Sequence, residues 1–157
     1  MKHPLTPVVI ALVFFLDRAA KYLALNYLPA RPLKLAPFLK LTYVENTGVA
    51  FGMFQERNAI FLALSAALVA GLLFARKKLA AYGRPAELGL ALVLGGALGN
   101  IYDRIAYGFV VDFLDLSFFP AVFNVGDSAI TVGAVLLGWA MREREDSHKS
   151  QVTGHKT

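Results

Sequence analysis

The chain has 157 residues, 57% of them hydrophobic and 17% charged, a balance that excludes a disordered chain, a coiled coil and most soluble domains. It has no cysteine, which removes disulfide frameworks, thiolate zinc sites and cysteine nucleophiles. A net charge of +5 invites a nucleic-acid partner, but the placement of the cations makes one unnecessary.

The first apolar segment runs from about Val8 to Leu28. Lys2 ahead of Val8 to Leu16 has the outline of a secretory signal peptide, yet Asp17, Arg18 and Lys21 follow and no small-residue cleavage site ends the run. The segment therefore reads as a span. A charge inside a span costs roughly 2.5 to 3.5 kcal/mol, and Asp17 and Lys21, four apart on one helix face, offset much of that cost by pairing. The pair reads first as structural glue.

From Pro37 to Phe54 the pattern is not helical. Leu39, Leu41 and Tyr43 alternate with Lys40 and Thr42, and Asn46-Thr47-Gly48 is turn chemistry before a second short apolar run. A small hairpin or sheet on the outer membrane surface is expected there. The second span follows from Asn58 to Ala75, with Ser65 the one polar side chain between Ala59 and Ala75. Arg76-Lys77-Lys78 and Arg84 then form a short basic loop.

The third span, Pro85 to Tyr102, runs into GGALGNIYDR. Gly95 and Gly99 make a small-residue step for close helix approach, and Asn100 and Arg104 share a face where the helix meets the outer surface. Asn100, Asp103 and Arg104 also suit a plain helix cap. Tyr107 to Phe119 is an apolar loop holding Asp112 and Asp115, expected to dip into the interface. The fourth span runs from Pro120 to Met141, with Pro120 in the first turn and Asp127 about two turns in, sharing a face with Asn124. From Arg142 onward the chain reads as a solvated polar tail.

About 18 helical residues rise about 27 Å, enough for a hydrocarbon core of about 30 Å. Lys2, the basic loop and the tail hold nine of the sixteen Lys and Arg residues on one side of a four-span protein, which the positive-inside rule makes cytoplasmic. Arg31, Lys34, Lys40, Arg57 and Arg104 remain on the opposite face. The expected architecture is an all-α membrane protein, one polytopic domain of four transmembrane helices with a small β-hairpin or sheet on the periplasmic side.

The chemistry follows from the acidic residues. Asp127 has no basic neighbour in sequence, and a lone buried carboxyl would stay protonated. Two carboxyls brought together share one proton, the basis of aspartic protease chemistry, and Asp112 is the candidate partner. His3, His148 and His155 all lie in the polar ends, so Ser-His-Asp triads and His-based zinc sites lack parts. A Ser65–Lys21 dyad fares little better, because Ser65 is mid-span and Lys21 has Asp17. From the residues alone an aspartyl hydrolase, a proton-coupled transporter and a structural membrane protein all remain open. The absence of an internal repeat weighs against the transporter.

At these positions the sequence closely resembles lipoprotein signal peptidase, the signal peptidase II family. The resemblance rests on Asp17-x-x-x-Lys21, ENTGVAFG from Glu45 to Gly52, GNIYDR from Gly99 to Arg104, VVDF from Val110 to Phe113 and FNVGDSAI from Phe123 to Ile130, in that order. It implies a four-helix aspartyl endopeptidase of the bacterial inner membrane, with both termini cytoplasmic and an outer β-cradle. Such an enzyme cuts signal peptides from diacylglyceryl-modified prolipoproteins just before the lipidated cysteine. It implies Asp112 and Asp127 as the catalytic pair. Asn46, Gly48, Asn100, Arg104 and Asn124 match groups around the substrate and the pair, and Asp17 and Lys21 a supporting pair. The implied partners are prolipoproteins and membrane lipids, with no nucleic acid, no metal, no cofactor and a monomeric enzyme. Gly126 stands where the family usually has Ala before the second aspartate, and Val49 where a second small residue is common in the outer motif.

Overall fold

The computed structural model describes residues 5–48 and 58–154, with side chains described for 6–48 and 58–144. The order is α1 (Leu5–Tyr27), β1 (Leu33–Ala36), β2 (Leu39–Asn46), α2 (Asn58–Ala80), α3 (Arg84–Ala106), β3 (Val110–Leu116), β4 (Val122–Phe123) and α4 (Val125–Gly154). Four long helices thus carry one small antiparallel sheet of order β1-β2-β3-β4.

Helix α3 is the centre of the bundle and packs against the other three. Its glycines explain how. A Cβ on Gly89 would lie 2.6 Å from the Gly133 carbonyl oxygen, and one on Gly96 would lie 2.2 Å from that of Gly126, so α3 and α4 cross with their backbones in contact. The face carrying Gly95 and Gly99 meets α1 instead, where added Cβ atoms would come 2.8 Å from the Val13 side chain and 2.3 Å from Asp17 Oδ2. Close backbone approach by small residues replaces the hydrophobic drive that is missing between helices in lipid.

Among the described residues, α2 and α3 are long and apolar enough to cross a membrane. Helix α2 has no buried residue, and Phe74 is 94% exposed. Leu12, Phe15 and Leu16 of α1, Leu64 of α2, and Val135 and Trp139 of α4 are also exposed, an apolar belt that water would not tolerate at this extent.

The sheet lies over the end of α1. Val111 and Phe113 of β3 pack on Ala24 and Leu28, with Leu41, Tyr43 and Phe109 around them. Period-two alternation then turns Asp112 to the other face, away from α1. Gly48 ends the first described stretch in a left-handed conformation, φ +86°, where a Cβ would strike the Phe61 ring at 2.3 Å.

Several expectations need correction. The loop expected from Tyr107 to Phe119 is mostly strand: β3 pairs antiparallel with β2 along its length. Strand β2 lies where the alternation predicts one, but its hairpin partner is β1, upstream of it. The second apolar run expected near Phe51 to Phe54, the position of Val49 and Arg57 lie outside the described residues. Arg76, Lys77 and Lys78 are not loop but the exposed last turns of α2, where cations oppose the negative end of the helix dipole. Helix α4 does not start at Pro120, which lies in the turn between β3 and β4, and its backbone continues past Arg142 to Gly154.

Candidate active site

Asp127 stands in the first turn of α4, not two turns in, because the helix begins with a reciprocal cap. Asn124 Oδ1 accepts from the Asp127 N–H at 2.9 Å while Asp127 Oδ2 accepts from the Asn124 N–H at 3.3 Å. This is a capping box built from Asn and Asp, and it satisfies two otherwise orphaned donors. The same Asn124, fully buried, donates its side-chain amide to Asp112 Oδ1 at 2.6 Å. One asparagine therefore touches both carboxyls. Its amide orientation is set, since its oxygen faces an N–H and its nitrogen faces a carboxylate.

Asp112, 1% exposed, receives a second amide at its other oxygen, from Asn46 Nδ2 at 2.7 Å. The contact is a diagonal cross-strand pair, since Asn46 of β2 stands opposite Val110 of β3. Asn46 Oδ1 is held by the Gly48 N–H at 2.8 Å, so the left-handed glycine orients the amide that meets Asp112. The Asp112 carboxyl is raised to about 6, with burial the largest cause. The donors Asn46 and Asn124 pull it back down, the nearby Asp127 charge pushes it up further and Lys21 pulls it down.

Asp127 Oδ1 accepts from Asn100 Nδ2 at 2.8 Å, and Asn100 Oδ1 accepts from Lys21 Nζ at 2.7 Å. Lys21 is wholly buried. Its other partners are Asp17 at 2.8 Å and Asp103 at 2.9 Å. Asp17 accepts from the Gly126 N–H at 2.7 Å, and Asp103 accepts from the Val111 N–H at 3.1 Å. Each of those backbone groups is one residue before an acidic residue of the pair. Arg18 closes the cluster by ion-pairing with Asp103, donating to the Tyr107 hydroxyl at 3.1 Å and lying 4.2 Å from the Tyr102 ring centroid. Two cations and two carboxylates thus balance beneath the site, with the hydrogen bonding that a buried ionic group requires.

Arg104 is half-buried on α3, reaches the Asn100 carbonyl at 3.5 Å, lies 5.9 Å from the Phe61 ring centroid, and interacts electrostatically with Asp127, Asp112 and Asp103. Asp17, Lys21, Asn46, Gly48, Asn100, Arg104, Asp112, Asn124 and Asp127 therefore form one connected constellation. Reading the sequence missed Asp103 and Arg18. The available signal was a third acidic residue within helical reach of Asn100 in a segment too apolar to leave it unpaired. Gly126, the departure noted above, has the Gly96 carbonyl oxygen 2.9 Å, Asn124 Oδ1 3.0 Å and Asp17 Oδ1 3.2 Å from where a Cβ would stand. Glycine lets the start of α4 sink onto α3 and α1.

Over residues 9–142 the chain matches the family Signal peptidase (SPase) II. The lipoprotein signal peptidase of Caldanaerobacter subterraneus subsp. tengcongensis is 46% identical over 138 residues, covering 85% of this chain and 93% of the relative. That of Thermodesulfovibrio yellowstonii is 44% identical over 138 residues, covering 83% and 90%. A bacterial membrane enzyme solved by the in meso method at 2.3 Å has the same fold, with a TM-score of 0.80 at 27% identity over 90% of each chain. The family match, the shared fold and the exposed apolar helices define a membrane peptidase. The chain belongs to the signal peptidase II family, and it is a protease that removes signal peptides.

Proposed function

We propose that this protein cuts signal peptides from diacylglyceryl-modified prolipoproteins, immediately before the lipidated cysteine, with Asp112 and Asp127 as the catalytic pair. The observation that carries this reading is Asn124, which bonds to both acidic residues and so brings a strand and a helix terminus to one point. The ionised member of the pair takes a proton from a water held between them, and that water attacks the scissile carbonyl. The protonated member donates a hydrogen bond to the carbonyl oxygen, and the proton taken from the water passes to the leaving amine as the C–N bond breaks. The raised Asp112 carboxyl supports its part as the acid.

All four helices cross the bilayer in this reading, with both termini in the cytoplasm of a bacterial cell and the sheet on the periplasmic face of the inner membrane. The acidic pair then lies at the outer lip, where a membrane-borne signal peptide ends, and substrate arrives by lateral diffusion to a monomeric enzyme. Lys21, Asp17 and Asn100 position Asp127, Asn46 and Gly48 position Asp112, and Arg104 meets a main-chain carbonyl of the extended substrate or a lipid head group. The end of the outer sheet that carries Asn46 clamps that extended segment around the cleavage site.

The test compares the purified protein on two precursors that differ only in the diacylglyceryl group on the cysteine. Cleavage of the lipidated precursor alone, with the new N-terminus at the modified cysteine, is expected. Equal cleavage of both removes the substrate assignment. No cleavage by the parent, together with proton-linked flux in vesicles, would favour a transporter. Unchanged cleavage by Arg104→Ala would remove the role given to Arg104.

A further inference from the structure

The outer sheet carries a charge arrangement that the acidic pair does not use. Register sets Lys34 of β1 directly opposite Lys40 of β2, and Lys40 directly opposite Asp115 of β3. Like charges facing each other across a ladder destabilise it. Asp115 neutralises one of the two lysines, through an ion pair with Lys40 at 3.0 Å. The row is left with an excess positive charge on the wall of a half-open cavity of about 510 Å³, lined in part by Lys34, Lys40, Asp115, Phe38 and Phe119. That volume falls within the range of small-molecule sites.

The cavity is tied together from two turns. The Ser117 N–H donates to the Phe38 carbonyl at 3.0 Å, joining the β3–β4 turn to the β1–β2 turn, and Phe119 is braced edge-on by Phe123. Phe38 and Phe119 are 53% and 52% exposed, so a cationic wall meets an aromatic rim. Ammonium groups bind phosphate oxygens through charge-assisted hydrogen bonds, and exposed Phe rings gain by burying at the boundary between head groups and acyl chains. A free phosphate would use the lysines and leave the rings in water. An anionic lipid uses both.

We propose that this cavity binds the phosphate of an anionic phospholipid, with Lys34 and Lys40 on the phosphate and Phe38 and Phe119 against the glycerol and first acyl carbons. The site rests on the periplasmic placement of the sheet proposed above. It explains why Lys34 and Lys40 stand on the outer face against the general bias of cations toward the cytoplasm. Asp115 is three residues from Asp112 on the same strand, roughly 10 Å along it, so the bound lipid pins one end of β3 to the leaflet while the other end carries Asp112.

The test is retention of short-chain phosphatidylglycerol by the detergent-purified full chain, measured by native mass spectrometry, with phosphatidylcholine and inorganic phosphate as comparators. Phosphatidylglycerol should bind in preference to phosphatidylcholine and should resist displacement by an equal concentration of inorganic phosphate. At about 1 kcal/mol per lysine near an anionic surface, Lys34→Gln should weaken binding about 5-fold, and adding Lys40→Gln, whose charge Asp115 partly offsets, should weaken it further, to at most about 30-fold. Lys34→Gln leaves the Lys40–Asp115 ion pair in place and should cleave precursor in detergent at the parental rate, which reports an intact fold. Equal retention of the two lipids, or phosphatidylglycerol retention unchanged in the double variant, overturns the site. Displacement by inorganic phosphate assigns the cavity to the free ion and overturns the lipid. Binding is read without catalysis, so failure of the peptidase reading would show separately, as a parent protein that binds lipid and cuts nothing.

Discussion

Lys21 Nζ donates to Asn100 Oδ1 at 2.7 Å, and through that bond a buried cation on α1 holds the amide that meets Asp127 on α4. The other two partners of Lys21 act in parallel. Asp17 grips the backbone just before Asp127, and Asp103 grips the backbone just before Asp112. A single ammonium thus fixes the approach of both acidic residues without facing either as its nearest partner.

Breaking one arm of this arrangement separates positioning from folding. Asn100→Leu keeps the volume and leaves Lys21 paired with Asp17 and Asp103, so the melting temperature in detergent should fall by only a few degrees. Cleavage should nevertheless fall on the order of 100-fold, because misplacing a reacting group by about 1 Å costs that much. Parental cleavage by this variant would contradict the positioning role.

Removing the hub has the opposite balance. Lys21→Met strands the buried Asp17 carboxylate and leaves Asp103 with Arg18 alone, and breaking a buried ionic cluster by removing one partner costs about 3 to 5 kcal/mol. Thermal unfolding in detergent should show a large loss of stability accompanying the loss of activity. A melting temperature equal to that of the parent would show that the cluster is not structural.

The carboxyl of Asp112 at about 6 gives a signed pH dependence. If its protonated form is the acid, kcat/KM for the lipidated precursor is full below that value and falls as pH rises through it. Asn46→Ala removes a donor that favours the ionised form, so the alkaline limb should move to higher pH even as the rate drops. A limb that moves to lower pH, or is absent between pH 5 and 8, would contradict the assignment.

The glycine seam predicts a contrast between two similar substitutions. Gly96→Ala drives a methyl to 2.2 Å from the Gly126 carbonyl oxygen, so α3 and α4 must separate at the base of Asp127, at a typical overpacking cost of about 1 to 3 kcal/mol and with loss of cleavage. Gly138→Ala, on the same pair of helices, meets nothing within 4 Å and should stabilise by up to about 1 kcal/mol with unchanged activity. Melting curves and cleavage rates of the two variants check both halves.

Much of this site is legible in one dimension, and what is not has physical reasons. The Asp17–Lys21 pair is readable because helical spacing of four guarantees proximity. Strand β2 is readable because one of its faces is wetter than the other. Strand β3 hides because Val110 through Phe113 are buried on both faces, which erases the alternation. The start of α4 was misplaced by giving weight to Pro120, although Asn124 followed three residues later by Asp127 carries the capping-box spacing. The apolar segment around Asp103 signals that it needs a partner, but not which one, since Arg18 and Lys21 come from α1 and only the fold brings them together.

The most direct measurement is single-turnover cleavage of a diacylglyceryl-modified precursor by Asp112→Asn and Asp127→Asn, each confirmed as folded by its circular dichroism and melting curve. If the two carboxyls work on one water, each variant loses at least about 1,000-fold, and combining them adds little, because residues that act as a unit are not additive. A folded variant of either kind that still cuts within tenfold of the parent rate would contradict the shared-water pair.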